Sequence, residues 1–343
     1  MKAEIVATDT PALFKAAVLR ATELLCAGEV VALPTETVYG LAANALDAEA
    51  VARIYEVKGR PAHNPIIVHI TSVAMAKRCV AAWPAVAGRL ARAFWPGPLT
   101  LVLPRAKEIP EVVTAGGPTV GVRWPSHPFI QAVIRKCGFP LAAPSANRAN
   151  RVSPTTAAHV LKDLGGRLRL IVDGGPSRIG IESTVLDLTH EPSRVLRPGM
   201  IHEESLTAAL GNFKFQISNF KSGEAGPLRS PGLLRKHYSP KAELLVLSWR
   251  DAADLKSKIE NRKSKIENCH VIAHSHILSA KGWGGVSVIP RDAKAFARAL
   301  YAELHRCDEA GAKLIVVEAP PAAGEWRAIA DRLSRAASVE PIT

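Results

Sequence analysis

No pair of cysteines in this 343-residue sequence is spaced as CxxC. The five that occur, Cys26, Cys79, Cys137, Cys269 and Cys307, are scattered and odd in number, so neither a zinc site nor a disulfide framework is indicated. Reduced thiols in a cytoplasm fit that pattern. No segment approaches the roughly 20 apolar residues of a membrane-spanning helix. The N-terminal stretch MKAEIVATDTPALFKAAV has early acidic residues and no long apolar run, against a signal or transit peptide. Aromatic residues are only 5% of the chain, and none interleave with the basic segments as a single-strand nucleic-acid groove requires. The sequence also lacks a Walker loop, an HExxH and a GxSxG elbow. The GWGG at Gly282 to Gly285 has the wrong spacing for a dinucleotide fingerprint and reads as a turn.

What is present describes a globular chain. Apolar residues make up 48% and charged residues 22%, enough to bury a core without staples, and the length suggests two domains. Lysine and arginine outnumber aspartate and glutamate by 44 to 31, a net charge of +13. Such a balance attracts polyanions, whether nucleic acid or nucleotide phosphates, and by itself chooses between neither.

The first two-thirds alternates strands and helices. Strands are predicted at Glu29 to Leu33, Pro65 to Ile70, Leu99 to Leu103, Thr119 to Arg123, Arg169 to Asp173 and Thr184 to Leu188. Asp47 caps a helix running to Lys58, with Val51, Ile54 and Tyr55 on one face. Further helices are predicted at Pro84 to Phe94, Pro128 to Lys136 and Pro154 to Leu164, the last two with proline in the first helical position. Composition then breaks after Leu210, giving a first domain over 1–210, a linker over 211–241 and a second domain over 242–343. In that second domain, strands at Leu244 to Leu247, Val271 to Ala273, Val286 to Ile289 and Leu314 to Val317 alternate with helices near Ala252 to Glu267, Asp292 to Cys307 and Glu325 to Ala337. KSKIEN occurs at Lys256 to Asn261 and again at Lys263 to Asn268, which reads as duplicated turns of an exposed helix.

Four polar clusters lie beside predicted strand ends, where α/β sheets collect ligands. They are PTETVYGLAANA (Pro34 to Ala45), KGRPAHNPIIVHI (Lys58 to Ile70), PTVGVRWP (Pro118 to Pro125) and PLAAPSANRANRVSP (Pro140 to Pro154). Each has a plainer reading. Lys58 and Arg60 suit a helix C-terminus, Ser153 suits an N-cap before Pro154, His69 and Tyr39 suit a core, and Gly174 and Gly175 suit a turn. The small residues from Ala142 to Asn150 are hardest to explain that way, because they build little core.

Taken in order, the four clusters resemble the YrdC-like domain of threonylcarbamoyl-AMP synthases, and IVDGGPSRIGIESTVLDLT and VLRPGMI match it too. SPGLLRKHYSP resembles the linker of that family's two-domain form, with Leu233 where methionine is common. The resemblance implies a twisted, open, mixed-sheet YrdC-like domain followed by a smaller Rossmann-like α/β domain. It implies an enzyme forming threonylcarbamoyl-AMP and pyrophosphate from L-threonine, bicarbonate or CO2, and ATP, with Mg2+ accompanying the nucleotide and no dedicated metal ligands. The product would pass to transferase machinery that modifies an adenosine in tRNAs reading codons that start with A. By motif, a catalytic tetrad falls on Lys58, Arg60, Ser145 and Asn147. Other ATP contacts fall on Asn64, Thr119, Ser153, Arg197 and Tyr238, the last in a linker expected to close over the pocket. Threonine contacts fall on Thr37, His69, Arg123, Ala143 and Ser183. The rival reading is a basic module that holds double-stranded RNA or tRNA without chemistry. A carbamoyl transferase of hydrogenase maturation, which would need a zinc-finger cysteine pattern, is disfavoured.

Overall fold

A computed structural model describes residues 3–61, 63–211, 215–217, 237–260 and 266–337. The chain divides into two compact units, Met1–Ala149 with Ser153–Leu233, and Asn150–Val152 with Leu234–Thr343.

The first unit opens with β1 (Glu4–Ala7), α1 (Pro11–Cys26), β2 (Val31–Leu33), β3 (Gly40–Asn44), α2 (Ala48–Lys58) and β4 (Val68–His69). It continues through α3 (Val73–Cys79), α4 (Ala85–Phe94), β5 (Leu99–Pro104), β6 (Thr119–Arg123), α5 (Pro128–Cys137) and β7 (Leu141–Ala142). The remainder is α6 (Ala157–Leu164), β8 (Leu170–Asp173), β9 (Thr184–Asp187), β10 (Ser193–Arg197), α7 (Glu203–Leu210) and β11 (Phe215–Ile217). The strands form one mixed sheet in the order β1-β8-β2-β3-β7-β4-β6-β5-β9-β10-β11. Parallel pairs such as β4 and β6 sit beside antiparallel ones such as β3 and β7.

Strand alternation sends side chains to two faces, so two cores form. Along β2, Val31 and Leu33 join one core and Ala32 the other. Helices α1 and α5 cover the first of these, where Phe14 and Phe129 meet edge to face at 5.3 Å. Ile54 of α2, Leu90 of α4, Val160 of α6 and Leu206 of α7 build the second.

The second unit contains β12 (Glu243–Leu247), α8 (Ala252–Ile259), β13 (Cys269–Ala273), β14 (Gly285–Val288), α9 (Ala293–Glu309), β15 (Leu314–Glu318) and α10 (Arg327–Ala336). Its sheet is parallel throughout, ordered β12-β15-β13-β14. That is the small α/β unit the second sequence pattern implies.

Several expectations need correction. The stretch 211–241 is not wholly linker, because Phe215–Ile217 pairs in parallel with β10 as β11; residues 212–214 and 218–236 of it lie outside the described residues. The helix expected from Ala252 to Glu267 ends at Ile259, and Ile266–Asn268 forms a 3-10 turn. Residues 263–265, the first half of the second KSKIEN copy, and residue 261, the last of the first copy, also lie outside the described residues. The helix expected from Pro154 begins at Ala157 instead. Thr156 is its cap, accepting from the His159 N–H at 3.3 Å. Ser153 is drawn elsewhere, donating to Glu182 at 2.6 Å. Thr156→Ala should therefore cost about 1 kcal/mol in urea unfolding, and an unchanged midpoint would mean the cap carries no weight.

Candidate active site

The C-terminal end of α2 supplies the first group of side chains. Asp47 starts the helix by accepting from the Glu49 and Ala50 N–H groups. The helix stops at Gly59, whose φ of +61° puts it in the left-handed region that glycine adopts freely. Lys58 is thereby left in the last turn, but it does not face water. Its Nζ donates to the backbone carbonyls of Ser145 and Asn147, and its own carbonyl accepts from the Ala149 N–H at 3.0 Å. Lys58 is 3% exposed. Burial, reinforced by the Arg60 charge and opposed by Asp163, holds its pKa well below that of a free lysine. Arg60 turns the other way, donating to the Asn64 carbonyl and side chain and to the Pro65 carbonyl at 2.7 to 3.0 Å.

The loop that Lys58 grips belongs to the sheet. Ala143 N–H donates to Ile67, Leu41 N–H to Pro144, and Ala146 N–H to Tyr39, at 2.8 to 3.0 Å. Ser145 also forms a bridge with Gly40. The loop lies close on the neighbouring backbone: a Cβ on Gly40 would stand in van der Waals contact with the Ala143 Cβ at 3.4 Å. The Asn147 side chain is turned back to the Arg148 carbonyl at 2.9 Å.

Arg123, at the C-terminal end of β6, organises a second group. Its Nη1 donates to Thr37 Oγ1 at 3.0 Å and its Nε lies 3.4 Å from the Gly97 carbonyl. Its Nη2 pairs with Glu36 at 2.7 Å, with side chains only 5% and 4% exposed. Burial raises the Glu36 pKa, but Arg123 outweighs it and the net shift is downward, so the carboxylate is charged. His69 belongs to the same group. Burial, then the Arg123 charge, pushes its pKa down to about 3, with Glu36 acting the other way. The core reading of His69 fails in one respect: its Nδ1 has no hydrogen-bond partner.

A third group stands at the start of β9, which lies beside the start of β5 in the Leu99–Thr184 register. Ser183 Oγ meets Thr100 Oγ1 at 2.8 Å, and Arg197 donates to the Ser183 carbonyl and hydroxyl at 3.0 and 3.1 Å. Gly199 is forced by this packing, since a Cβ there would stand 2.3 Å from the Thr184 nitrogen. The loop before β9 crosses the first cluster, with Ile179 and Gly180 N–H groups donating to the carbonyls of Glu36 and Thr37.

These contacts chain together most of the residues singled out in the sequence. Lys58, Ser145, Asn147 and Ala143 form one end, with Arg60 and Asn64 beside it. Thr37, His69 and Arg123 form the other, bordered by Ser183 and Arg197. Thr119 stands at the opposite end of β6 from Arg123, paired with Pro104 of β5, and among the described residues no contact joins it to the others named. Tyr238 lies in the second unit, stacked on Tyr301 at 5.9 Å and beneath Arg332. Tyr39 donates to the Gly175 carbonyl at 2.7 Å, so it pins the glycine pair rather than filling core alone. The sequence reading missed Glu36 and Glu182. The signal was a lone charged residue inside each otherwise small or apolar motif, PTETVYG and IGIESTV.

Two family models match the chain, one described as "Telomere recombination" over residues 23–199 and one as "Threonylcarbamoyl-AMP synthase, C-terminal domain" over residues 201–338. The threonylcarbamoyl-AMP synthase of Pyrococcus abyssi is 40% identical over 90% of both chains, and that of Bacillus subtilis 39% identical over 93% of this chain and 92% of that one. The crystal structure of P. abyssi Sua5 complexed with L-threonine matches with a TM-score of 0.87 at 36% identity, covering 99% of this chain and 100% of that one.

His69 supplies a pH test. Its folded pKa of about 3 lies below the ordinary value near 6.5, so between these limits the unfolded chain binds the extra proton. The protein should lose about 1.4 kcal/mol of stability per pH unit as pH falls through that window. Urea midpoints at pH 7 and 5 should separate less in His69→Gln than in the wild type; equal separations would contradict the buried neutral ring.

Proposed function

The chain belongs to the threonylcarbamoyl-AMP synthase family, and from that premise we propose that its first unit joins L-threonine, bicarbonate or CO2, and ATP into threonylcarbamoyl-AMP. Family membership favours this enzyme over the RNA-binding module. The observation that carries the reading is the division of one loop cluster into two chemistries. A cationic end, Lys58 and Arg60 with Ser145 and Asn147, suits a triphosphate. An end holding Arg123, Thr37 and His69 suits a small hydroxy amino acid. They meet through the backbone of Tyr39 to Leu41.

In this reading the threonine amine takes up bicarbonate or CO2 to become an N-carboxylate. One carboxylate oxygen then attacks the α-phosphorus of ATP and pyrophosphate leaves. Such a displacement needs alignment and charge neutralisation rather than a protein nucleophile. Lys58 is suited to it because its depressed pKa would recover on meeting a phosphate anion. Arg60 is proposed to take the phosphates with a planar fork, and Asn64, Thr119, Ser153 and Arg197 to complete the nucleotide contacts. Tyr238 is proposed as a nucleotide contact on the resemblance alone. Arg123 would grip the threonine carboxylate, the neutral His69 ring would meet its hydroxyl, and Ala143 (by its backbone) and Ser183 would close the pocket.

Mg2+ would accompany the nucleotide. Among the described residues no group of three His, Cys, Asp or Glu side chains is gathered to hold a metal. The donor set around Lys58 suits phosphate oxygens, so the ion would be carried by phosphates and water. The product is proposed to pass to tRNA-modifying machinery, and the net charge of +13 leaves room for weak tRNA contact. No helix among the described residues is long and apolar enough to cross a membrane; a cytoplasmic location is part of the proposal.

Threonine-dependent release of pyrophosphate from ATP, in bicarbonate and without RNA, tests this directly. Lys58→Ala and Arg60→Ala should each lower the rate by about a hundredfold or more with circular dichroism unchanged. Near wild-type rates in both would overturn the assignment, and an equal rate with serine would remove the methyl-recognising pocket.

A further inference from the structure

Four buried polar atoms around Arg123 have no hydrogen-bond partner: both carboxylate oxygens of Glu36, Nη2 of Arg123 and Nδ1 of His69. Glu36 and Arg123 attract each other as charges at 2.7 Å, but the contact lies off the hydrogen-bond line. The Ser126 backbone approaches the carboxylate without completing a hydrogen bond. An ionised carboxylate has about four acceptor positions, and here the approaches of Arg123, the Ser126 backbone and the Glu36 backbone leave both oxygens without a well-aligned hydrogen bond. Buried groups in this state have given up water without gaining partners. Two other buried cations of the unit are well served: Lys58 has its two carbonyls and Arg197 its two contacts on Ser183. The deficit is concentrated where the amino acid is proposed to bind.

We propose that Glu36 receives the α-ammonium group of the amino acid substrate, while Arg123 takes its carboxylate. The two protein charges touch, and the two charges of an α-amino acid are separated by a single tetrahedral carbon. A zwitterion can therefore enter by exchanging one intramolecular ion pair for two intermolecular ones. Net charge in the pocket does not change, so no bare charge is buried. Thr37 keeps Arg123 aimed during the exchange through its contact with Nη1. Glu36 then determines specificity, because an acid lacking the amine would set its own carboxylate against an unanswered negative charge. The identity of the amino acid rests on the threonylcarbamoyl-AMP synthase reading, whereas the exchange rests on the Glu36–Arg123 geometry.

Isothermal titration of the full chain with L-threonine and with (3R)-3-hydroxybutanoate tests the inference. The second ligand keeps the carboxylate, hydroxyl and methyl and has hydrogen in place of the ammonium. Wild type should strongly prefer threonine. Glu36→Gln should bind threonine about ten- to a hundredfold more weakly, the scale of one lost charge-assisted hydrogen bond. It should bind hydroxybutanoate as well as the wild type or better, since a repelling carboxylate is gone. Equal weakening of both ligands would reduce Glu36 to a prop for Arg123 and overturn the proposal, as would unchanged threonine affinity. If Glu36→Gln does not fold, the wild type decides, because equal affinity for the two ligands sinks the inference alone. A wild type that binds no threonine sinks the substrate assignment and this inference with it.

Discussion

A buried arginine is paired with a buried glutamate in the first unit, and the end proposed to take the amino acid is arranged around that pair. Taking two charges out of water is costly, and removing one partner of such a pair typically costs about 3–5 kcal/mol because the other is left bare. Arg123 therefore fixes more than itself. It holds Glu36 and Thr37 on the loop after β2, reaches Gly97 before β5, and adds its charge to the burial that keeps the His69 ring neutral on the adjacent strand. Three separate stretches of sequence are committed to one place by a single guanidinium.

The end proposed to take phosphate follows a different rule. Lys58 is held by backbone carbonyls, which carry no net charge, and the Asp163 carboxylate only partly offsets the burial and the Arg60 charge that depress its pKa. A cation in that state is poised to gain from an anion. The Arg123 end is already neutralised by Glu36 and admits a neutral zwitterion in exchange. One sheet thus presents an end that gains by adding negative charge and an end that gains by swapping charges. Adenylate formation needs both, a polyanion to be cleaved and a small amino acid beside it.

The fold was legible where periodicity was strong and local capping unambiguous. Asp47 announced α2, and β5 and β6 were bounded nearly to the residue. Helix α1 was overlooked although Thr10 before Pro11 is a cap signal and Phe14, Ala17, Val18, Ala21 and Leu25 share a face. The Pro154 boundary misled because two hydroxyl residues competed for the cap. The buried Glu182 carboxylate took Ser153, leaving Thr156 to start α6. Strands β3 and β7 went unseen inside polar motifs, since alanine- and glycine-rich strands carry no β-branched signature.

The sequence by itself determined that this is an α/β protein, and its motifs named most of the residues that the structure gathers into one loop cluster. It did so because motif spacing is local and reports which side chains leave a strand end together. Only the tertiary structure decided which of those residues meet. Lys58 became a clamp on two carbonyls rather than a solvated helix cap, and Glu36, passed over in the sequence, emerged as the partner of Arg123. Burial is a property of the folded neighbourhood, and it alone turns a charged side chain from a surface residue into one that must find a partner.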